Sequence, residues 1–354
     1  MTDVDRTRYA LPEAENERIF RERIVPQTLD GTPQEQPLAI IVSGQTGAGK
    51  TAITSLTTGA LAGRGRSVNI NLDTYKPYHP KFDELMVADD TTAGAYTSID
   101  GHHWMEKAEA YAIEQRLDIV LESAMRNPRD FEEPAARLRA AGYRVEVPVV
   151  AVHEAVSRWG ALDRYLQQVE AFGQGRMIDR QIHDACYQGV VRAAGRLDAE
   201  HLADSVFVVR RDASVVYSNH LSGEDEWLKE PDTPGAVTGE RNRVWSEQES
   251  RVFASGTGRT LQRIEALPPE MREAARDELG KIAGLARPLV HPAAEEAARR
   301  SLGALWLAAA PSVRALVARS RSTTRARGPV GAPRNQAAPR TSGPDQQRRR
   351  GLGR

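Results

Sequence analysis

The apolar run LAIIVSG leads without a break into GQTGAGKT and then into the helical pattern AITSLTTGALAGRG. A short run without polar alternation suits a strand of a parallel sheet covered on both faces. The turn fits G-x-x-x-x-G-K-[ST] through Gly44, Gly49, Lys50 and Thr51. Its glycines let backbone N–H groups along Gly44, Gln45, Thr46, Gly47, Ala48, Gly49, Lys50 and Thr51 turn inward around phosphate oxygens, and the dipole of the following helix favours the negative charge. Lys50 would then bridge the β- and γ-phosphates of a nucleotide, and the Thr51 hydroxyl would ligate Mg²⁺. A glycine-rich turn with a solvated lysine satisfies the same pattern. The strand before it and the helix after it favour the phosphate-binding reading.

Four further apolar runs, SVNINLD, LDIVLES, YRVEVPVVAV and SVFVVRR, read as buried strands, with helical patterns such as HHWMEKAEAYAIEQR and FEEPAARLRAAG before them. This alternation predicts an α/β fold, a doubly wound parallel sheet of the P-loop NTPase type. Residues 1–36 read as a short helix and a polar linker, and 37–220 as the sheet domain. Between Val152 and Asp204 lies a helical, arginine-bearing lid, and DASVVYSN turns back as a hairpin. Residues 221–240 read as a linker opening a helical extension, 221–318 overall. SGTGR at 255–259 has glycines without a strand and helix around it and reads as a turn. From 319 to 354 the chain carries ten Arg against one Asp with almost no large apolar residues, the composition of a disordered tail.

Lys+Arg and Asp+Glu both total 48, so net charge selects no class of partner. The basic tail could lend salt-sensitive nucleic-acid affinity, although a merely solvated terminus is the simpler expectation. The single cysteine, Cys186, excludes an intrachain disulfide and a cysteine-rich zinc site. The N-terminus lacks a signal-peptide core, and runs such as LGALWLAAA are too short to span a bilayer. A soluble cytoplasmic protein is expected.

Asp73 stands at the end of the second apolar run, in NLDTYKPYHP. In an open α/β sheet this position faces the ligand crevice, where a carboxylate can accept a proton from an attacking hydroxyl or sit on Mg²⁺ through water. It can equally cap a helix. Glu122 ends the third run with Arg126 four residues on, which suits hydroxyl recognition or an internal ion pair. Arg158, Arg164, Arg176 and Arg180 in the lid can close over transferring phosphoryl oxygens or form a solvated face. His79, His102, His103 and His183 lack metal-ligand spacing and read as structural.

The succession GQTGAGKT, NINLDTYKPYHPKFDEL, DIVLESAMRNP, VSRWGALDRYLQQ and GRMIDRQIHD resembles the zeta toxin family of P-loop kinases, from about Ala39 to Tyr217. The resemblance implies the toxin half of a toxin–antitoxin pair, with a small antitoxin protein as partner. It implies ATP- or GTP-dependent phosphorylation of the amino-sugar 3′-hydroxyl of UDP-N-acetylglucosamine, which blocks peptidoglycan synthesis. Carried over by segment, Asp73 matches the catalytic base and Lys50 the phosphate-loop lysine. Glu106 and Glu122 match substrate-binding carboxylates, Arg126 a substrate-site arginine, and Arg164 and Arg176 the two lid arginines. Ser123-Ala124 stands where members often carry Gly-Thr, which removes a threonine hydroxyl from the sugar pocket. A kinase for another hydroxyl-bearing small molecule is the nearest alternative, and a nucleotide-switched interaction protein with a nucleic-acid-binding tail is a more distant one. Nothing after about residue 220 has a counterpart in a minimal member.

Overall fold

A computed structural model of the protein describes residues 5–308, apart from 174 and 176. The lid arginine Arg176, residues 309–318 of the expected helical extension and the expected tail at 319–354 lie outside the described residues.

Six strands form one sheet: β1 (Leu38–Ser43), β2 (Val68–Ile70), β3 (Ile119–Ser123), β4 (Arg144–Val150), β5 (Ser205–Val209) and β6 (Val215–His220). Their order is β2-β3-β1-β4-β5-β6. The first five in this order run parallel, and β6 returns antiparallel to β5 at the edge. The expected doubly wound α/β sheet is therefore present. Both faces are covered, which is why the strands read as continuous apolar runs. Ala39, Ile41, Ile119 and Leu121 point into a large core shared with Trp104, Val190 and the N-terminal Ile19 and Ile24. Ile40, Val42 and Val120 face the opposite way, against Ile53 and Leu61 of the helix Lys50–Leu61.

A second core lies beyond the sheet. One face of the lid helix Glu154–Phe172 contributes Leu162, Tyr165 and Leu166, which pack with Phe253, Ile264, Leu279, Ile282 and Trp306 from the C-terminal helices. Those helices are Glu247–Glu265, Pro269–Ala286, Glu295–Leu302 and Ala304–Ala308.

Three local expectations are corrected. SGTGR is not a turn: it lies within Glu247–Glu265. A Cβ on Gly256 would come within 2.2 Å of the Trp159 ring, so glycine is what lets that indole lie against the helix. Residues 221–240 are not linker throughout, because Thr233–Asn242 is a helix whose first turn is capped by Asp232. Its neighbour Asp198 accepts from both the N–H and the hydroxyl of Thr233, at 2.8 and 2.6 Å. The run SVNINLD yields a strand of only three residues, since Asn71 leaves the sheet to cap the short helix Leu72–Tyr75. Among the described residues, no helix is long and apolar enough to cross a membrane.

Candidate active site

The phosphate loop leaves β1 at Ser43 and enters the helix at Lys50, with positive φ at Gly47 (77°) and Gly49 (99°). Gly47 is constrained twice, because a Cβ there would also sit 1.9 Å from the Ser157 carbonyl oxygen on the lid helix. Lys50 Nζ folds back across the loop and donates to the carbonyls of Gly44 (2.9 Å) and Gln45 (3.4 Å). Burial lowers the Lys50 pKa; Arg164 adds to that fall, while Glu122 and Asp73 oppose it. Thr46, Gly47, Lys50 and Thr51 line the adjoining cleft. The side chains of Gln45 and Ala48 are turned inward and buried. Gln45 donates through Nε2 to the Val152 carbonyl (3.0 Å) and accepts from Arg241 at 2.7 Å.

The cleft encloses about 830 Å³ and gathers Asp73, Glu106, Glu122, Arg126 and Arg164 beside the loop. Asp73 sits in the first turn of Leu72–Tyr75 rather than at a strand end. It is not the helix cap: Asn71 Oδ1 accepts from the Asp73 N–H at 2.9 Å, and this leaves the Asp73 carboxylate to the cleft. Lys76 Nζ lies 3.3 Å from that carboxylate. Partial desolvation in the cleft would raise the Asp73 pKa, but with the side chain 69% exposed, Lys76, Arg164 and Lys50 prevail and hold it below the usual carboxylate value.

Glu122 lies in β3, directly beside Val42 of β1, and accepts from Thr54 Oγ1 at 2.9 Å. Among the described residues no ion pair joins it to Arg126. Arg126 instead follows Met125, which adopts φ of 51° in the loop after the strand. Glu106 projects from the helix Ser98–Glu114 and pairs with Arg129 at 3.3 Å. One turn on, Glu109 holds Arg137 in a two-pronged pair, at 2.8 and 3.0 Å, on the same cleft wall. Sequence reasoning missed Glu109, Arg129 and Arg137; the spacing Glu106-x-x-Glu109 on one helix was the available signal.

The lid arginines separate by role. Arg164 lines the cleft, close enough to act electrostatically on both Lys50 and Asp73. Arg158 is buried to 3% exposure and holds Glu154 (2.7 Å), Asp184 (2.7 Å) and Glu278 (3.0 Å), so it ties the lid to the C-terminal helices. Arg180 lies at the start of Arg180–Ala199, 4.0 Å from Asp184. His79 bridges Tyr9 O (2.9 Å) and the Lys81 N–H (3.1 Å), and His183 contacts Ser157 Oγ at 2.9 Å, both structural placements. Among the described residues, no group of three or more His, Cys, Asp or Glu side chains is arranged to hold a metal ion.

The arrangement brings Lys50, Arg126 and Arg164 together with Asp73, Glu106 and Glu122 around one space beside the glycine-bearing loop, a set of groups suited to moving a phosphoryl group onto a hydroxyl. A family model described as Zeta toxin matches residues 25–222. The chain is 25% identical over 234 residues to the toxin PezT of Streptococcus pneumoniae serotype 4, covering 65% of this chain and 88% of that protein. It is likewise 25% identical over 186 residues to a toxin zeta of Streptococcus pyogenes, covering 52% of this chain and 64% of that protein. Among solved structures, a chain from the PezAT chromosomal toxin–antitoxin system of Streptococcus pneumoniae superposes with a TM-score of 0.62 at 20% identity. That superposition covers 73% of this chain and 98% of the other.

Proposed function

The chain belongs to the zeta toxin family, and from that premise we propose that it is a kinase that transfers the γ-phosphoryl group of ATP or GTP to a sugar hydroxyl. The observation that carries this reading is the convergence of Lys50, Asp73, Glu122 and Arg164 on one cleft at the phosphate loop. The triphosphate takes the loop N–H groups, and Lys50 exchanges its carbonyl partners for phosphate oxygens. Thr51, exposed at the helix start and facing the cleft, is the residue that would hold Mg²⁺, which when bound neutralises charge on the bridging oxygens. Asp73, kept ionised by its cationic neighbours, accepts the proton of the acceptor hydroxyl. Its weak basicity suffices because bond breaking to the leaving group runs ahead of proton loss in a loose transition state. Arg164, with Arg176 as its expected companion, stabilises the charge spread over the equatorial oxygens.

The acceptor we propose is the amino-sugar 3′-hydroxyl of UDP-N-acetylglucosamine, with Glu106, Glu122 and Arg126 as its binding groups. Such a product would block peptidoglycan synthesis, and a small antitoxin protein would hold the enzyme in check. One observation favours a second acceptor. Ser123 Oγ is already engaged, donating to Asp130 O (2.7 Å) and accepting from the Met125 N–H (3.0 Å), so it does not replace the missing threonine hydroxyl in the pocket. Another hydroxyl-bearing nucleotide sugar therefore remains the alternative. Incubation with Mg²⁺-ATP and a panel of nucleotide sugars, followed by product identification, separates the two. In the same assay Asp73→Asn is expected to lower turnover by about 10²–10⁴-fold while nucleotide binding survives. Turnover at the wild-type rate would remove Asp73 from the role of base.

A further inference from the structure

A second cavity, of about 330 Å³, lies between the segment after β4, the lid helix and the C-terminal helices. Val152 at the end of β4, Trp159 on the lid helix and Arg211 after β5 form its inner walls. His153 and Val156 add to this side, and Trp245, Val252 and Phe253 join from beyond the family-matched segment. The aromatic rings are fixed against one another. Trp245 and Phe253 lie with centroids 4.9 Å apart, and Trp159 meets Phe253 edge-on at 5.6 Å. Trp159 is further oriented by its Nε1–H, which donates to Thr260 Oγ1 at 3.0 Å.

Arg211 connects the cavity to the loop. Arg211 Nε lies 3.0 Å from where a Cβ on Gly49 would sit, so this side chain spans from the cavity wall to the last glycine before the helix. The other two guanidiniums on the rim are occupied: Arg210 pairs with Glu240 at 2.8 Å, and Arg243 pairs with Glu240 at 2.7 Å and also with Glu249. Arg211 has no ion pair within 4 Å among the described residues. A planar cation beside indole and phenyl rings, in a pocket at the low end of small-molecule size, is suited to a flat heteroaromatic ring. A nucleotide whose terminal phosphates lie along Gly47 to Thr51 has its ribose and base leaving the loop, and Arg211 joins the pocket to Gly49.

We propose that Trp245, Val252 and Phe253 of the C-terminal helices complete, with Trp159 and Arg211, the pocket for the base of the phosphoryl donor. The extension is thereby part of the donor site and not an appendage to it. The inference rests on the kinase reading above, and its test is built to fail separately. Binding of ATP, GTP and inorganic tripolyphosphate is measured on the full-length wild-type protein and on two variants. Val252→Trp places bulk into the cavity from a half-exposed position, which spares the core. Arg211→Ala removes the cation. Both are expected to weaken nucleotide binding by about tenfold, the scale of stacking one base on an aromatic surface; Val252→Trp, away from the loop, leaves tripolyphosphate binding unchanged, and Arg211→Ala, whose cation lies beside Gly49, weakens nucleotide binding more than tripolyphosphate binding. Tryptophan emission should change on adding nucleotide and not on adding tripolyphosphate. Equal nucleotide affinity in wild type and both variants, or nucleotide binding no tighter than tripolyphosphate, overturns the pocket assignment while the phosphate loop stands. Failure of the wild type to bind any of the three overturns the kinase reading and this one with it.

Discussion

At the scale of single residues, the site depends on how three cations treat one carboxylate. Asp73 sits 3.3 Å from Lys76 and within electrostatic reach of Arg164 and Lys50, and these together lower its pKa against partial desolvation in the cleft. A carboxyl with a lowered pKa is ionised at and above the ordinary carboxylate value of about 3.9 and is lost as a base only as pH falls through its lowered value. The acid side of kcat/KM should therefore stay flat from neutral pH down to about 5. Lys76→Ala removes the largest attractive charge, so the acid limb should move to higher pH, with a smaller effect on the rate at neutrality. Paired pH profiles of wild type and Lys76→Ala check this; superimposable acid limbs would show that Lys76 does not tune the proposed base.

At the scale of elements, the lid helix Glu154–Phe172 is held from both sides. Gly160 rests on the phosphate loop so closely that an added Cβ would lie 2.4 Å from the Gly47 carbonyl oxygen. On the other side Arg263 of the C-terminal helices pairs with Asp163 and with Glu170 at 2.6 Å, and Arg158 reaches Glu278 at 3.0 Å. Backbone cannot yield as a side chain can, so Gly160→Ala should cost about 1–3 kcal/mol and weaken triphosphate binding by shifting the helix off the loop. Thermal unfolding and tripolyphosphate titration of that variant read the two effects, and an unchanged Tm would mean that the contact carries no strain. This element also shows where sequence reading stopped. The loop was legible because its motif residues are contiguous between a strand and a helix, and Arg164 was found through a local motif. Arg158 looked identical in kind to Arg164, yet its partners include Asp184 and Glu278, 26 and 120 residues away, and no spacing reveals such a pair. SGTGR was misread for the same reason: the ring that makes Gly256 necessary belongs to Trp159, on another element. Asn71, by contrast, was readable as a local helix cap, and recognising it would have freed Asp73 from that role at once.

At the scale of the whole molecule, the C-terminal helices and the sheet are joined by more than a shared surface. The lid helix supplies Leu162, Tyr165 and Leu166 to the second core, while its Ser157 and Gly160 abut the loop that follows β1. Arg241, from the helix Thr233–Asn242, is buried against the sheet side, 4.0 Å above the Tyr187 ring, and donates to Gln45 Oε1 (2.7 Å) and Tyr187 O (2.8 Å). Burial pushes its pKa down to about 10, which still leaves it charged at neutral pH. Hydrogen bonds from a buried charge are worth about 1.5–3 kcal/mol, and Gln45 Oε1 would lose its donor if the arginine were removed. Neither core can then open without disturbing the other. The described chain should unfold in a single transition, with calorimetric and van't Hoff enthalpies in agreement. Arg241→Met keeps the packing volume over Tyr187 but leaves Gln45 Oε1 without its donor, so it should lower the Tm of that single transition without splitting it. Two resolved transitions in the wild type, or an effect of Arg241→Met on only one of two, would show that the extension folds independently and grips the phosphate loop only as a neighbour.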